Sequence, residues 1–202
     1  MKNEEHRHDQ ELVLGALHNR GLVSSEELKA VLGKSQPTVS RVLASLRGQV
    51  QAFGNARARR YGLPRPIRGR PARQSLWWTD EQGLEHEFGA LTFLIGGIVY
   101  IDSEFIQKSA FKELPWFLTP LRAQGFLGRI HARRFQYAGL DADPEQWDLE
   151  SVLFAALQLH DAPGAITLGD ADHRQEPSHL FADDASLPSG LDRLAQDIAS
   201  TL

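Results

Sequence analysis

Residues 24–46 read SSEELKAVLGKSQPTVSRVLASL, and their spacing decides the N-terminal fold. Ser24 followed three residues later by Glu27 is a capping box, in which hydroxyl and carboxylate satisfy amides that a helix start leaves unpaired. Leu28, Val31 and Leu32 give that helix an apolar stripe, and Gly33 closes it. Ser35 opens a second helix with Pro37 in its first turn, where the missing N–H costs nothing. Val39, Val42, Leu43 and Leu46 share one face of this helix, and Gly48 stops it. Two short helices joined by a tight turn at Gly33-Lys34 form a helix-turn-helix pattern. The outward residues of the second helix are Ser35, Gln36, Thr38, Ser40, Arg41 and Ser45. Small hydroxyls with one Gln and one Arg are side chains that can approach phosphates and base edges in a major groove.

Working outward, Leu12, Val13, Ala16 and Leu17 place a preceding helix over Gln10–His18, ended by Gly21. On the other side, Gln49–Phe53 and Arg59–Leu63 are short extended runs around Gly54-Asn55, which predicts a hairpin bearing Arg57, Arg59 and Arg60. Arg65, Arg68, Arg70 and Arg73 follow on a strap punctuated by Pro64, Pro66 and Pro71. Three helices, a basic wing and a basic strap read together as a winged helix-turn-helix over residues 1–73. Its arginines would contact phosphates or enter a minor groove of double-stranded operator DNA. The plainer alternative is an ordinary helical pair followed by a solvated linker. A homodimer would set two such helices against two half-sites, and no residue marks a dimer face.

Charge supports a division of labour. The net charge of −4 hides 14 Lys+Arg against 6 Asp+Glu in residues 1–73, or +8, and 8 against 20 in residues 74–202, or −12. No acid occurs between Glu27 and Asp80, while lysines and arginines recur throughout. This asymmetry suggests a nucleic-acid module joined to an acidic partner module. The 202 residues hold 42% hydrophobic and 24% charged side chains, enough for a core and ordinary for a soluble chain. No apolar run reaches about 18 residues, which argues against a membrane span. The charged start MKNEEHRHDQ does not resemble a signal peptide, so the cytoplasm is the expected compartment. The absence of cysteine excludes disulfides, thiolate metal sites and cysteine nucleophiles.

Residues 74–202 predict a small antiparallel sheet with helices, so the fold class is α+β. Leu76–Thr79 and Glu85–Leu94 read as strands around a turn at Asp80–Gly83, and Gly96-Gly97 turns into a third at Ile98–Ile101. Leu114–Pro120 and Gln124–Arg129 are turn-rich. Asp148–His160 has the spacing of an amphipathic helix through Val152, Leu153, Ala156 and Leu159, and Ala165–Leu168 reads as a short strand. The tail from Asp170 is polar until Leu191–Ile198.

The run LPWFLTPLRAQGFLGR (114–129) resembles the N-terminal part of HipA-family proteins, especially the YjjJ-like branch. The resemblance extends to the WW…DEQG…H-E-x-G-x-L run of Trp77–Leu91 and the P-G-x-x-x-x-G-D run of Pro163–Asp170. SQPTVSRVLASL is in turn similar to many bacterial helix-turn-helix regulators. The resemblance implies that residues 74–202 form a HipA N-terminal-subdomain-like, HipS-like kinase-binding domain. Full-length family members continue into a serine/threonine kinase core, which needs a phosphate clamp, metal ligands and a base assembled together. None is visible here. The lysines are Lys2, Lys29, Lys34, Lys108 and Lys112, and none follows a glycine-rich loop in a strand.

Split relatives in the family encode the HipA N-terminal subdomain apart from the kinase, as its antitoxin. By that resemblance the chain is expected to be an antitoxin and transcriptional autorepressor. It would bind operator DNA and neutralise a separate HipA/HipT-like serine/threonine kinase toxin. Trp116, Phe117, Leu118 and Phe126 are the expected kinase contacts, with Trp116 as the anchor. The alternative for Trp116 and Phe117 is that they fill the core. Two other functions stand beside this one: a stand-alone regulator with a ligand-sensing C-terminal domain, and an accessory fragment of a split HipA-like kinase.

Enzyme motifs fail on inspection. His86-Glu87 is not followed by a histidine at position 90, which is Ala. Asp141 and Asp143 begin like a calcium loop, but Gln146 and Val152 stand where Gly and Glu are needed. No GxSxG, GxxxxGK[ST] or GxGxxG occurs. His6 and His8 read as part of a frayed terminus. The chain is therefore expected to have no catalytic activity, no metal site and no cofactor.

Overall fold

The computed structural model describes residues 2–55, 58–158 and 165–169. In chain order the helical part runs α1 (Lys2–Arg20), β1 (Leu22–Ser24), α2 (Ser25–Leu32) and α3 (Gln36–Ser45). Strands β2 (Gln51–Phe53), β3 (Arg60–Gly62), β4 (Arg73–Thr79), β5 (Glu85–Leu94), β6 (Ile98–Asp102) and β7 (Ser109–Phe111) follow. A 3-10 turn at Trp116–Leu121, α4 (Gly125–Arg134), two shorter 3-10 turns, α5 (Leu149–Ala156) and β8 (Ile166–Leu168) complete the described residues. The fold is α+β with two sheets, β1-β3-β2 and β7-β6-β5-β4-β8, and the registered strand pairs are antiparallel.

The chain divides into two compact units, residues 1–75 with 88–115 and residues 76–87 with 116–202. In the first, Ser24 caps α2 as the sequence requires. Its hydroxyl accepts from the Glu27 amide at 3.3 Å, and the Glu27 carboxylate accepts from the Ser24 amide at 2.8 Å. Gly33 closes α2 at φ 63°, a left-handed conformation that costs glycine little. Lys34, between α2 and α3, reaches back to α1 and donates to Asp9 at 2.7 Å and Glu5 at 2.9 Å. Val13 and Leu17 of α1 meet Leu28, Val39 and Val42 in one core. Each such buried side chain contributes about 1.5–3 kcal/mol of transfer free energy.

This helical core is not the whole unit. Leu22 and Phe53 form a second core with Leu94, Ile98 and Tyr100 of the β5–β6 hairpin, and the Phe53 and Tyr100 rings lie 4.7 Å apart. The C-terminal half of β5, Ala90–Leu94, is therefore buried at every position, whereas its start at Glu85–Glu87 is exposed. The strap is also structured. Leu63 accepts from the Ile95 amide at 2.9 Å, the Arg65 amide donates to Phe93 at 2.9 Å, and Ala72 accepts from the Phe93 amide at 2.8 Å. The basic strap is thus hydrogen-bonded along β5, which removes the alternative of a solvated linker.

In the second unit β4 pairs with β8 through Leu76↔Leu168, and the Trp77 indole donates to the Gly169 carbonyl at 2.9 Å. Leu118, Ala132, Phe135, Trp147, Val152 and Leu153 are buried here. Phe135 meets Trp147 and Phe154 edge-on, at 6.1 and 6.2 Å between ring centroids. Helix α4 lies where the sequence suggests only turns. Its Gly128 sits so close to the Ala123 backbone that a Cβ would come within 2.7 Å of the carbonyl carbon. Asp148 caps α5 by accepting from the Ser151 amide at 2.8 Å. The expected helix up to His160 and the tail from Asp170 extend beyond the described residues. No helix among the described residues is long and apolar enough to cross a membrane.

Candidate functional site

The apolar face of α3 is fixed by Val39, Val42 and Leu43, which turn inward. Helical geometry then dictates that Gln36, Ser40 and Arg41 turn out, and all three are exposed, as is Ser35. Thr38 is half-buried, with its hydroxyl 3.2 Å from that of Ser35. Ser45 is engaged within the protein, donating to Val42 O at 2.7 Å and accepting from the Gln10 amide group at 2.9 Å. Lys34, next to this face, has its charge matched by Asp9 and Glu5, and the bond to Asp9 first and Glu5 second raises its pKa.

The arginines divide into groups. Arg59 and Arg60 are exposed at the start of β3, beyond the Gly54 turn, and Arg57 lies outside the described residues. Arg60 also acts on the capping box. The Glu27 carboxyl is held below its ordinary value, mainly by the bond from the Ser24 amide, then by the Ser24 hydroxyl, with Arg60 and Arg20 adding to it. Arg65 is exposed, with its guanidinium 5.7 Å from the centroid of the Phe93 ring. Arg68 occupies the corner of a tight turn and is exposed. Arg73 lies 4.0 Å from Asp102, which also holds Lys108.

Sequence reasoning passes over one feature of this module. An open cavity of about 470 Å³ lies beside α3, lined by polar Ser40, Arg47, Gln49, Gln51 and Tyr61 and by apolar Leu43, Val50 and Pro64. The signal is present in Arg47 and Gln49, which follow the last apolar residue of the helix.

In the second unit the four expected contact residues separate. Trp116 is 84% exposed, Phe117 and Phe126 are half-buried, and Leu118 is fully buried. The 3-10 turn directs Leu118 and Leu121 inward and leaves the Trp116 ring in solvent, edge-on to Phe117 at 5.7 Å. So Trp116 does not fill the core. The Asp80–His86 motif has a structural role instead. Asp80 accepts from the Gln82 and Leu84 amides at 3.0 and 2.8 Å, and its other oxygen lies 2.7 Å from His86 Nε2. The His86 ring packs against Trp78 at 5.4 Å. Among the described residues no group of three His, Asp or Glu side chains is arranged to hold a metal ion.

Comparison with known proteins decides the family. The family model for the YjjJ-like toxin middle domain matches residues 70–176. The chain belongs to the YjjJ-like toxin family. It is 38% identical over 159 residues to Toxin YjjJ of Escherichia coli (strain K12), a match covering 77% of this chain and 35% of that protein. The chain thus spans about a third of the length of this curated relative. No solved structure matches it.

This finding corrects the expected function. The resemblance to split relatives pointed to an antitoxin that inhibits a kinase, but both the matching family and the matching relative are named as toxins. The antitoxin, kinase-inhibitor reading falls. The LPWFL…GFLGR run lies within the residues matched by the toxin family. Of the functions set out from the sequence, the accessory fragment of a HipA-like kinase agrees better with these names.

Proposed function

We propose that this chain is the DNA-addressing and kinase-completing segment of a YjjJ-type toxin. The observation that carries the proposal is the toxin-family match over residues 70–176, which directly follows a basic helical module. The order α1–β1–α2–α3–β2–β3, with β3 central in its sheet, supports a winged helix-turn-helix in which α3 is the recognition helix. Exposed Gln36, Ser40 and Arg41 would read a major groove, and Arg57, Arg59 and Arg60 would hold phosphates. Residues 74–202 would take the place of the HipA N-terminal subdomain. In this proposal the chain performs no phosphoryl transfer by itself, since the groups that clamp phosphate and metal would come from the kinase core. Trp116 would dock on that core, because a rigid exposed aromatic desolvates a large area for little lost side-chain freedom.

The test has two arms. The chain is co-expressed with the segment of Toxin YjjJ that the match leaves uncovered, and binding of a fluorescent ATP analogue is measured for each part and for the complex. A complex that binds nucleotide more tightly than either part, and that Trp116→Ala weakens, is the expected result. Failure to form a complex refutes the kinase-completing role. Fluorescence anisotropy on duplexes selected from a random pool tests the other arm. Arg41→Ala should lower affinity with an unchanged circular dichroism spectrum, and unchanged affinity removes α3 from the interface.

A further inference from the structure

The strap between the helical module and β4 contains a turn whose backbone chemistry does not suit its sequence. The Ile67 and Arg70 amides each donate to the other residue's carbonyl at 2.9 Å, which closes a two-residue turn with Arg68 and Gly69 at its corner. Both corner residues have positive φ, 45° for Arg68 and 86° for Gly69. That geometry favours Asn, Asp or Gly at both positions. Arg68 is the one non-glycine residue with positive φ among the described residues. A long cationic side chain held where glycine is cheaper points to a use for its position.

The turn is firmly mounted. Ile67 is fully buried, and the chain on either side is bonded to β5 through Arg65 and Ala72. Buried Gln74 donates to the Pro71 carbonyl at 2.6 Å and fixes the exit. Pro66 and Pro71 limit the remaining backbone freedom. What projects from this mount is Arg68 and Arg70, both exposed, on either side of a glycine whose would-be Cβ meets nothing within 4 Å beyond its own chain neighbours. The tip is therefore slim, doubly cationic and preorganised. A narrow, strongly negative groove accepts such a tip, and a flat phosphate surface has no need of one. The minor groove of A·T-rich DNA is narrow, attracts inserted arginine and lacks the guanine amino group that would obstruct it.

We propose that the Ile67–Arg70 turn inserts Arg68 and Arg70 into the minor groove of A·T-rich duplex DNA. This rests on the DNA-binding reading above and narrows its choice between phosphate contact and minor-groove entry to one turn, one groove and a base-composition preference. It makes the strap a specificity element beside the recognition helix.

The experiment uses three duplexes of one length that differ only in a flanking block of A·T, G·C or inosine·C pairs. Inosine·C keeps the major-groove pattern of G·C but has the unobstructed minor groove of A·T. The full chain should bind the A·T and inosine·C duplexes alike and the G·C duplex about tenfold more weakly. Arg68→Asn suits the positive φ, so it retains the turn while removing the charge, and it should abolish this preference. Arg70→Gln should do the same by an independent route. Inosine·C behaving like G·C would overturn the minor-groove assignment. Arg68→Asn and Arg70→Gln weakening all three duplexes equally would reduce the turn to a phosphate contact and also overturn it. If Arg41→Ala impairs binding while both strap variants bind like the parent, this inference alone fails. If the parent chain binds no duplex, the DNA reading fails with it.

Discussion

Gly89 interrupts β5 at φ 141°, in a region of backbone space that is almost reserved for glycine. A Cβ at this position would run into the Asp102 carbonyl oxygen and lie 2.9 Å from the Ser103 Cα. Both obstacles are backbone on the neighbouring chain segment, where the Ser103 hydroxyl also donates to the Phe88 carbonyl, so neither can swing aside. Gly89→Ala should therefore incur backbone strain of about 1–3 kcal/mol and overpacking of about 1–3 kcal/mol. Gly97 is the matched control. It has φ 67° with nothing within 4 Å of its would-be Cβ. Gly97→Ala bears only the left-handed backbone term, roughly 1 kcal/mol. The difference between the variants should be about 3 kcal/mol, or roughly 6–12 °C in Tm for a chain of this size. The tryptophans, at positions 77, 78, 116 and 147, all lie in the other unit, so far-UV circular dichroism is the correct probe. Equal melting of the two variants would refute the close-approach account of Gly89.

Three further outcomes are expected. Glu27 titrates below its ordinary value of 4.5 in the folded chain, so its capping contribution is complete above that pH and disappears as pH falls through the folded value. Glu27→Gln should thus lower Tm at pH 7, by an amount worth about 0.5–1 kcal/mol for a half-exposed cap, and match the parent near pH 2 in thermal melts. Lys34 has the opposite sign: its pKa is raised above 10.5, so its contribution is complete below that value and is lost as pH rises through the folded one. Lys34→Met should lower Tm at neutral pH, with the gap closing in alkaline melts, and a gap independent of pH would remove the Asp9–Glu5 pairing as its cause. Removing Arg59 and Arg60 together should reduce the slope of log affinity against log salt by about 0.9 for each phosphate no longer neutralised, and an unchanged slope measured by anisotropy would exclude the wing from the DNA.

Where the sequence is legible, one short-range rule decides the local structure. Ser24 and Glu27 meet at the capping box that their spacing requires, and β5 occupies Glu85–Leu94, bounded by the Asp80–Gly83 turn and by Gly96. Helix α4 is not legible, because Gly125 and Gly128 are poor helix formers and its cations mask any apolar period. Gly128 lets the first turn of the helix close against the Ala123 backbone just before it, a local fit that composition does not announce. The three-residue strands β1 and β7 are too short to show alternation. Within LPWFLTPL the composition marks an aromatic turn but not its orientation. The 3-10 geometry alone sends Leu118 inward and Trp116 outward. The antitoxin expectation fails for a related reason. The motif identifies a family segment but not the role of the protein that carries it, and the matched family and relative are both named as toxins.

The change of charge near residue 73 and the change of packing do not coincide. The basic half shares a core with β5 and β6 through Leu22, Phe53, Leu94, Ile98 and Tyr100, and its strap is bonded along β5. Exposing Leu22 and Phe53 by cutting at the charge boundary would forfeit about 1.5–3 kcal/mol for each side chain. That is a large share of a stability that is typically about 5–15 kcal/mol. Strands β4 and β5 each contribute residues to both units.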